Sequence, residues 1–458
     1  MKVLIFAIAL ALAISCTHGV NPGLIGGLKL PLINKMKAQF VPPIMEGFKQ
    51  IAIDDMHMGD LSVTGITVHV DNNDHNNIKV GFNEGKNGLD IAVDNTYINV
   101  HVNWRYSKGI IKVSGVGDIK GPINHIQMVM GFDTQPKGDF LIPKVQINDF
   151  DMSLDKGQWN FHFDCKLCPS KVIDLIVNAF KGPLVDKIKG EAKKVVNSKV
   201  SDTVNAKLVQ VYTTTTAINP DLTFTFATTG PISVKSTYLS VPFDGTVFLT
   251  KEGYSRPFDA PDIPHENPQN PGEIQLFASK YLYQTFEKSI NKLPMRFDSQ
   301  IAGYDVTFDV DGSKVPIEID TRDKHLHVLG GGILTFPTLG FVFEVGASCD
   351  IDVLFRPGDS TNTIYVDPDV NRESLKLTVF KATLYGYEID FTPFIGVVNY
   401  VVGFVINSVM LPPVAIAKNP GLPLTATAGV IDFYDTYTEA GVAFNFGIQD
   451  LLESLLSK

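Results

Sequence analysis

Apolar residues recur along the chain with two different periods. Residues 26–50 carry apolar side chains at four-residue steps, from Leu28 to Phe48, which predicts a helix kinked at Pro42-Pro43. From residue 51 to 163 the period is two, as in LSVTGITVHV and GLDIAVDNTYINVHVNW, which predicts antiparallel strands. A second helix is predicted from an apolar stripe between Val172 and Leu208, with a bend at Gly182-Pro183.

The same order of elements begins again in the second half of the chain. Strand patterns return at LTFTFATT and PISVKSTYLSVPFDGTVFL, and SRPFDAPDIPHENPQNPG (255–272) reads as an extended, Pro-rich linker. After it come a predicted helix at 274–291, alternating strands, an apolar helix at 393–409 and closing strands. The repeated order predicts two similar units joined by the linker.

The two ends of the chain differ from the rest. Residues 3–14 are almost wholly apolar, follow Lys2 and precede small residues, which predicts a secretory signal peptide cleaved before Val20, with a lipoprotein anchor at Cys16 as the alternative. The protein is therefore expected to be secreted and extracellular. At the other end, four leucines share one helical face in residues 448–458, which predicts an amphipathic tail or a frayed terminus.

The charge is distributed unevenly. The net charge is −10, yet residues 20–210 sum to +2 and residues 211–458 to −13. A near-neutral first half and an acidic second half argue against a nucleic acid as partner.

The Cys165-Lys166-Leu167-Cys168 segment is the most conspicuous candidate for chemistry. A zinc site needs two further ligands, and only His162 lies nearby. A thioredoxin-like centre needs a βαβ context, which the surrounding strand pattern lacks. The spacing favours a local disulfide or two free thiols.

Other candidate sites have simpler explanations. Asp309, Asp311 and Glu318 match part of a calcium loop, but Thr307 stands at its first position and Asp311-Gly312 fits a hairpin turn. His325 and His327 lie on one face of a predicted strand and could share a metal, although exposed strand histidines are commoner. No nucleophile elbow, HExxH helix or phosphate loop occurs, so we predict no enzyme activity, no metal and no cofactor.

Apolar and aromatic residues are abundant, with 30 Phe and 14 Tyr. Helices with wide apolar stripes, laid against the open side of a curved sheet, enclose long apolar cavities of the kind that hold lipid. The alternative is that these stripes are ordinary core faces.

Four segments in order resemble one protein family. VNPGLIGGLKL resembles its mature amino terminus, HVNWRYSKGIIKVSG its aromatic-basic hairpin, SRPFDAPDIPHENPQNPGEIQLFASKYLYQTF its linker and following helix, and VVNYVVGFVINSVMLPPVAIAKNPGLPL its last helix. The family is that of the bactericidal permeability-increasing protein, the lipopolysaccharide-binding protein and the cholesteryl ester and phospholipid transfer proteins. The resemblance covers essentially the whole mature chain.

The resemblance implies an α+β fold: an elongated boomerang of two antiparallel β-barrels, each closed by long helices, joined by a central β-sheet and the linker. In sequence terms it implies a signal peptide (1–19), an N-terminal lipid-binding barrel (20–220), central strands (221–254), the linker (255–272), a C-terminal barrel (273–420), central strands (421–447) and the tail (448–458). Phospholipid or another amphipathic lipid is the expected ligand, and the protein is expected to be a monomer.

The resemblance also implies site residues. Lipid-pocket walls are expected from Leu24, Leu28, Leu32, Met36, Ile176 and Phe180 in the first unit, and from Phe277, Tyr281, Phe286, Val398, Val402 and Val405 in the second. Trp104, Arg105, Lys108 and Lys112 match the hairpin at which some members bind lipopolysaccharide.

Two departures from the family pattern bear on these expectations. The family's strand-to-helix disulfide is missing, because Ser201 stands at the helix position and residues 143–148 contain no Cys; Cys165 and Cys168 are then expected to pair with each other or stay reduced, and Cys349 to be unpaired and buried. The hairpin is also less basic than lipopolysaccharide phosphates require.

The leading hypothesis is a secreted protein that sequesters acyl chains of phospholipids or lipopolysaccharide in two apolar pockets, in innate antibacterial defence. The alternative within this class is extracellular lipid transfer without lipopolysaccharide recognition, at membrane surfaces. Competing classes are a redox enzyme using Cys165 and Cys168, a metal-dependent hydrolase, and an adhesive protein with solid barrels.

Overall fold

The structure is a computed structural model that describes residues 21–35, 51–71, 78–165, 168, 170–212, 214–218, 220–301, 303–310, 312, 315–357, 364–405, 414–415 and 424–446. Antiparallel strands make up most of these residues. The predicted signal peptide and the predicted tail lie outside them.

The strands are numbered in chain order. In the first half they are β1 (Leu24–Lys29), β2 (Ile51–Ile53), β3 (Met56–Met58), β4 (Leu61–Asp71), β5 (Ile78–Asn83), β6 (Gly88–Lys108), β7 (Ile111–Lys137), β8 (Phe140–Ser153) and β9 (Asn160–Asp164). Before the linker they are β10 (Thr215–Ala217), β11 (Leu222–Thr225), β12 (Ser233–Val234), β13 (Tyr238–Phe243) and β14 (Val247–Leu249). After the linker they are β15 (Ile274–Ser279), β16 (Met295–Ile301), β17 (Tyr304–Val310), β18 (Glu318–Arg322), β19 (His325–Phe336), β20 (Phe341–Pro357), β21 (Ile364–Leu384), β22 (Tyr387–Glu388), β23 (Val414–Ala415), β24 (Leu424–Phe433) and β25 (Tyr437–Phe446).

The described residues contain fewer helices than strands. They are α1 (residues 30–35), α2 (Ser170–Val195), α3 (Ser201–Val211), α4 (Lys280–Ile290) and α5 (Ile395–Val405). A π-helical turn, Val196–Val200, joins α2 to α3, and Pro183 lies inside α2. Short 3-10 turns occupy Glu84–Lys86, Lys156–Gln158 and Thr392–Phe394.

One sheet, here called the central sheet, contains strands from both halves of the chain. Its order is β12-β13-β1-β15-β25-β24, so β1 and β15 lie side by side with Gly26 opposite Leu276. Within the range 221–254, β12 and β13 join this sheet, whereas β11 and β14 form a separate three-stranded sheet with β10. The two halves are therefore hydrogen-bonded to each other through β1 and β15.

Two helix predictions are wrong over their first turns. Residues 24–29 form β1 and residues 274–279 form β15, and in both places the helix begins only at the next residue. Gly26 and Gly27 disfavour a helix in β1, since glycine has among the poorest helix propensities. In β15 burial alternates along the strand, and the Ser279 side chain accepts a hydrogen bond from the Tyr281 amide to start α4.

Each half of the chain also has its own large sheet. The first follows the order β2-β4-β6-β7-β8, and its apolar face packs with α2 and α3 in one core. The second follows the order β16-β17-β19-β20-β21-β22, with α5 in its core. The strands that the structure describes do not close either path into a barrel. The two barrels and the boomerang shape stay predictions.

Candidate functional site

An apolar cavity of about 380 Å³ lies between α4, α5 and the second sheet. Helix α4 and strands β17 to β20 supply most of its wall, and α5 closes it with Val402. The lining residues are Leu282, Tyr283, Phe286, Ile290, Phe308, Val310, Ile317, Ile319, Leu326, Val328, Leu329, Gly330, Gly331, Ala347, Cys349, Ile351 and Val402.

The periods of these elements explain why their side chains converge. On α4, residues 282, 283, 286 and 290 recur at helical spacing and form one apolar stripe. On β19 and β20, every second residue faces the same side of the sheet, which places Leu326 and Val328 beside Cys349 and Ile351. Gly330 and Gly331 add backbone without side chains, which leaves space within the wall.

Among the described residues of the cavity lining, two side chains are weakly polar and none is charged. The Tyr283 hydroxyl donates to Thr438 Oγ1 at 2.7 Å, and burial raises the pKa of Tyr283 to about 12. Burial, helped by the neighbouring Asp350 charge, raises the pKa of the Cys349 thiol to about 11, so this free cysteine is a neutral thiol at physiological pH. The lining can therefore solvate an apolar chain and offers no ion to a headgroup.

The residues expected around a pocket in the second unit lie in different places. Phe286 and Val402 line the cavity, and Val398 is buried in the apolar cluster that also contains Val402. Phe277 lies instead in β15, packed against Ile25 in the central sheet. Tyr281 is buried with its hydroxyl 2.6 Å from Thr246 Oγ1. Val405 ends α5, and its side chain is outside the described part of the structure.

Most of the wall was not anticipated from the sequence. Leu282, Tyr283 and Ile290 share a helical stripe with Phe286, and this period was a usable signal. The strand residues gave no such signal, because alternation shows which residues share a face but not which face meets a helix.

The residues expected around a pocket in the first unit come together in one core. Leu28, Leu32, Ile176 and Phe180 are all buried there, and Leu24 packs against them. Phe180 meets Phe163 of β9 edge to face, with ring centroids 6.3 Å apart. Met36 lies outside the described residues.

The hairpin between β6 and β7 separates its aromatic residue from its cations. Trp104 is only 2% exposed and donates from Nε1 to the Val116 carbonyl at 3.1 Å, so it belongs to the core. Arg105 and Lys112 are exposed, and Lys108 Nζ lies 3.6 Å from Asp60. Ile110, in the turn itself, is 100% exposed. An apolar tip is thus bracketed by Lys108 and Lys112.

The two cysteines that precede α2 are joined to each other. A disulfide links Cys165 and Cys168, whose Cα atoms are 5.6 Å apart, and both residues pack against the first core. The bridge spans the passage from β9 to α2.

Comparison with known proteins identifies a related fold. No family model and no curated protein sequence matches the chain. A crystal structure of lipopolysaccharide binding protein superposes with a TM-score of 0.53 at 13% identity, covering 93% of this chain and 100% of that chain. A structure of Epiphyas postvittana Takeout 1 gives a TM-score of 0.22 at 11% identity, covering 40% of this chain and 89% of that chain. The chain thus shares the fold of lipopolysaccharide binding protein. None of the helices in the described residues has the length and hydrophobicity needed to cross a bilayer.

Proposed function

We propose that this protein is a secreted carrier that binds amphipathic lipids by enclosing their acyl chains, without covalent chemistry. The observation that carries the proposal is the cavity between α4 and α5, whose lining is uncharged and almost wholly apolar. Each buried methylene contributes about 0.8 kcal/mol, so one acyl chain supplies ample affinity. The lipid headgroup stays outside, because none of the described lining residues carries a charge that would neutralise a phosphate.

The fold and the chemistry of the cysteines support a carrier over an enzyme. A lipopolysaccharide binding protein shares the fold, and at 13% identity this likeness concerns the fold alone. Cys165 and Cys168 are bonded to each other and pack against the core, so a redox role would require opening a structural bridge. Cys349 has a raised pKa, the opposite of what a nucleophilic thiol needs.

The test is direct. The secreted chain is purified without detergent, extracted with organic solvent, and the extract is analysed by mass spectrometry. We expect stoichiometric phospholipid or another long-chain amphiphile. If the chain yields no lipid and does not bind a fluorescent fatty acid, the carrier proposal is rejected in favour of a protein with solid cores.

A pair of matched variants assigns the lipid to this cavity. Ala347→Phe places a ring in the lining and is expected to displace the fluorescent fatty acid while the chain stays folded by circular dichroism. Ala217→Phe makes the same change at an exposed position in β10 and is expected to bind like the original chain. Equal binding by both variants would place the lipid elsewhere, including the first core.

A finer proposal concerns which lipid surface the protein meets. Lys108 and Lys112 flank the exposed Ile110, which suits an anionic lipid such as a phospholipid or lipopolysaccharide. Exchanging both lysines for Gln should weaken binding to lipopolysaccharide and to anionic vesicles, more so at low salt. Lys171→Gln with Lys193→Gln, two exposed lysines of α2, is the control.

The same measurement separates antibacterial defence from plain lipid transport. Loss of binding that is specific for lipopolysaccharide favours defence. Absence of lipopolysaccharide binding in the original chain, with intact fatty-acid binding, favours transfer between lipid surfaces without lipopolysaccharide recognition.

A further inference from the structure

Two histidines occupy the outer face of the strand whose inner face lines the cavity. His325 and His327 are two residues apart on β19, so their side chains lie on one face, while Leu326 and Val328 point toward the interior. The two imidazoles are 35% and 18% exposed, which leaves both accessible to solutes.

Each imidazole is held by a carboxylate of the next strand. His325 Nδ1 lies 2.7 Å from Asp352 Oδ1, and His327 Nδ1 lies 2.7 Å from Asp350 Oδ1. An ionised carboxylate only accepts hydrogen bonds, so in each pair Nδ1 carries the proton and the lone pair of the neutral ring is on Nε2. Carboxylates hold metal-binding histidines in this way, fixing the ring and increasing its basicity.

Two cationic side chains, Arg322 and Lys280, already lie against groups on this face. Arg322 Nη2 lies 2.6 Å from His327 Nε2 and 2.9 Å from His327 Nδ1, so the guanidinium lies against the ring and places a positive charge beside it. Asp320 stands directly opposite His327 on β18, on the same face, and pairs with Lys280 at 2.6 Å. In the described part of the chain, no three His, Cys, Asp or Glu side chains converge on one point as they stand. A bound ion would therefore displace Arg322 and draw Asp320 from Lys280.

We propose that His325 and His327 bind one divalent transition metal ion of the zinc class through their Nε2 atoms. Asp352 and Asp350 orient the two rings, Asp320 is the third protein ligand, and water completes the tetrahedral set. Imidazole and carboxylate suit zinc, and two imidazoles favour it over magnesium or calcium. The site is independent of the proposed lipid function.

The chain contains its own control. His101 Nδ1 pairs with Asp118 at 2.9 Å on β6 and β7, which reproduces one half of the arrangement. Along β6 its neighbours on the same face are Asn99 and Asn103, so no second imidazole follows it two residues along the strand. A single His–Asp pair should therefore bind zinc far more weakly than the His325 and His327 pair.

The experiment is titration of the full mature chain with zinc chloride by calorimetry, with folding checked by circular dichroism. We expect one ion per chain, binding lost in His325→Ala and in His327→Ala, and unchanged binding in His101→Ala. Asp350→Asn should weaken binding by about tenfold or more, since it removes the carboxylate behind His327. Arg322→Gln should tighten binding, because it removes the competing cation.

Cobalt replaces zinc in a second readout, in which visible absorption bands of tetrahedral cobalt should appear for the original chain and vanish in His327→Ala. No zinc binding, or binding that is equal in the original chain and in the two β19 histidine variants, overturns the proposal. Binding that is lost equally in His101→Ala also overturns it.

Discussion

Arg256 Nη1 donates to Asp244 Oδ2 at 2.5 Å, and the two side chains are 15% and 4% exposed. The same guanidinium donates to the Asn21 carbonyl at 2.5 Å and lies 4.7 Å from the centre of the Tyr281 ring. The Tyr254 hydroxyl also donates to Asp244. One buried ion pair therefore ties the start of the Pro-rich linker to the strand end after β13, to the segment before β1 and to α4.

Removing Asp244 should destabilise the protein strongly. Asp244→Ala leaves Arg256 buried without its counter-charge, and breaking such a pair costs about 3–5 kcal/mol of unfolding free energy. Urea denaturation followed by fluorescence measures the change. The control is Glu252→Ala, which removes the exposed partner of Lys292 and should cost less than about 1 kcal/mol. Equal losses of unfolding free energy in the two variants would show that the Asp244–Arg256 pair contributes no more than an exposed ion pair.

The Cys165–Cys168 bridge should matter much less than its prominence in the sequence suggests. A bridge over three residues of separation restricts little of the unfolded chain, so the Cys165→Ser, Cys168→Ser variant should lose about 2 kcal/mol or less. The same urea measurement tests this, with fatty-acid binding as the second readout. Binding should be unchanged, and loss of binding without loss of the fold would revive a functional role for the two sulfur atoms.

Much of the strand pattern was predictable from the sequence, but the burial of individual residues in β15 was not. In β15 the residues that become fully buried include Gln275, a polar residue that no hydrophobic period marks as interior. Its amide is satisfied from the linker rather than from the strand: Nε2 donates to the Asn267 carbonyl at 2.7 Å, and Oε1 accepts from the Asn267 amide. The sequence around Gln275 cannot reveal this linker partner.

The end of the linker is also held by hydrogen bonds to a residue that is distant in sequence. Asn267 and Asn270 donate to the two carboxylate oxygens of Glu439 on β25, at 2.9 and 2.6 Å. Local composition indicated only an extended, Pro-rich segment. Its fixed path over the central sheet depends on residues more than 160 positions away, which a pattern in one window does not contain.

The cavity was predictable in kind but only partly in position. The wide apolar stripe of α4 and the residues Phe286 and Val402 pointed to it. The family resemblance placed Phe277 and Tyr281 with them, in residues 274–291 that the sequence predicts as one helix. Once β15 takes residues 274–279, Phe277 belongs to the central sheet, and Tyr281 turns toward Thr246.

The linker should also make stability depend on pH. Burial lowers the pKa of His265, whose Nδ1 lies 3.0 Å from Ser240 Oγ. The unfolded chain then takes up the proton more readily, so stability is full above the unfolded pKa of about 6.5 and falls as pH decreases through it. Urea midpoints at pH 7.5 and 5.5 should therefore differ more in the original chain than in His265→Gln.

His57 is the matched control for this effect. Its Nδ1 also lies 3.0 Å from a serine hydroxyl, that of Ser62, but the pair is exposed. His57→Gln should keep the pH dependence of the original chain. If the two variants show the same pH dependence, burial of His265 contributes nothing to it.

Cys349 should report whether the cavity is occupied. Its thiol lines the cavity, and burial raises its pKa to about 11, so at pH 8 only about one molecule in a thousand carries the thiolate that reacts with alkylating agents. Alkylation by iodoacetamide should be at least about a hundredfold slower in the folded chain than in urea, where the pKa returns to about 8.5. Mass spectrometry counts the modified thiols, and the Cys165–Cys168 bridge stays unmodified.

Delipidation gives this measurement its second arm. Removing the bound lipid should speed the reaction of Cys349 with a small apolar maleimide, and adding a long-chain fatty acid should slow it again. The reason is that the maleimide and the acyl chain compete for the cavity that Cys349 lines. Ala347→Phe, which fills the cavity without lipid, should react slowly in either condition. A maleimide rate that is the same with and without lipid, in a chain that demonstrably binds fatty acid, would place the acyl chain away from Cys349 and α4.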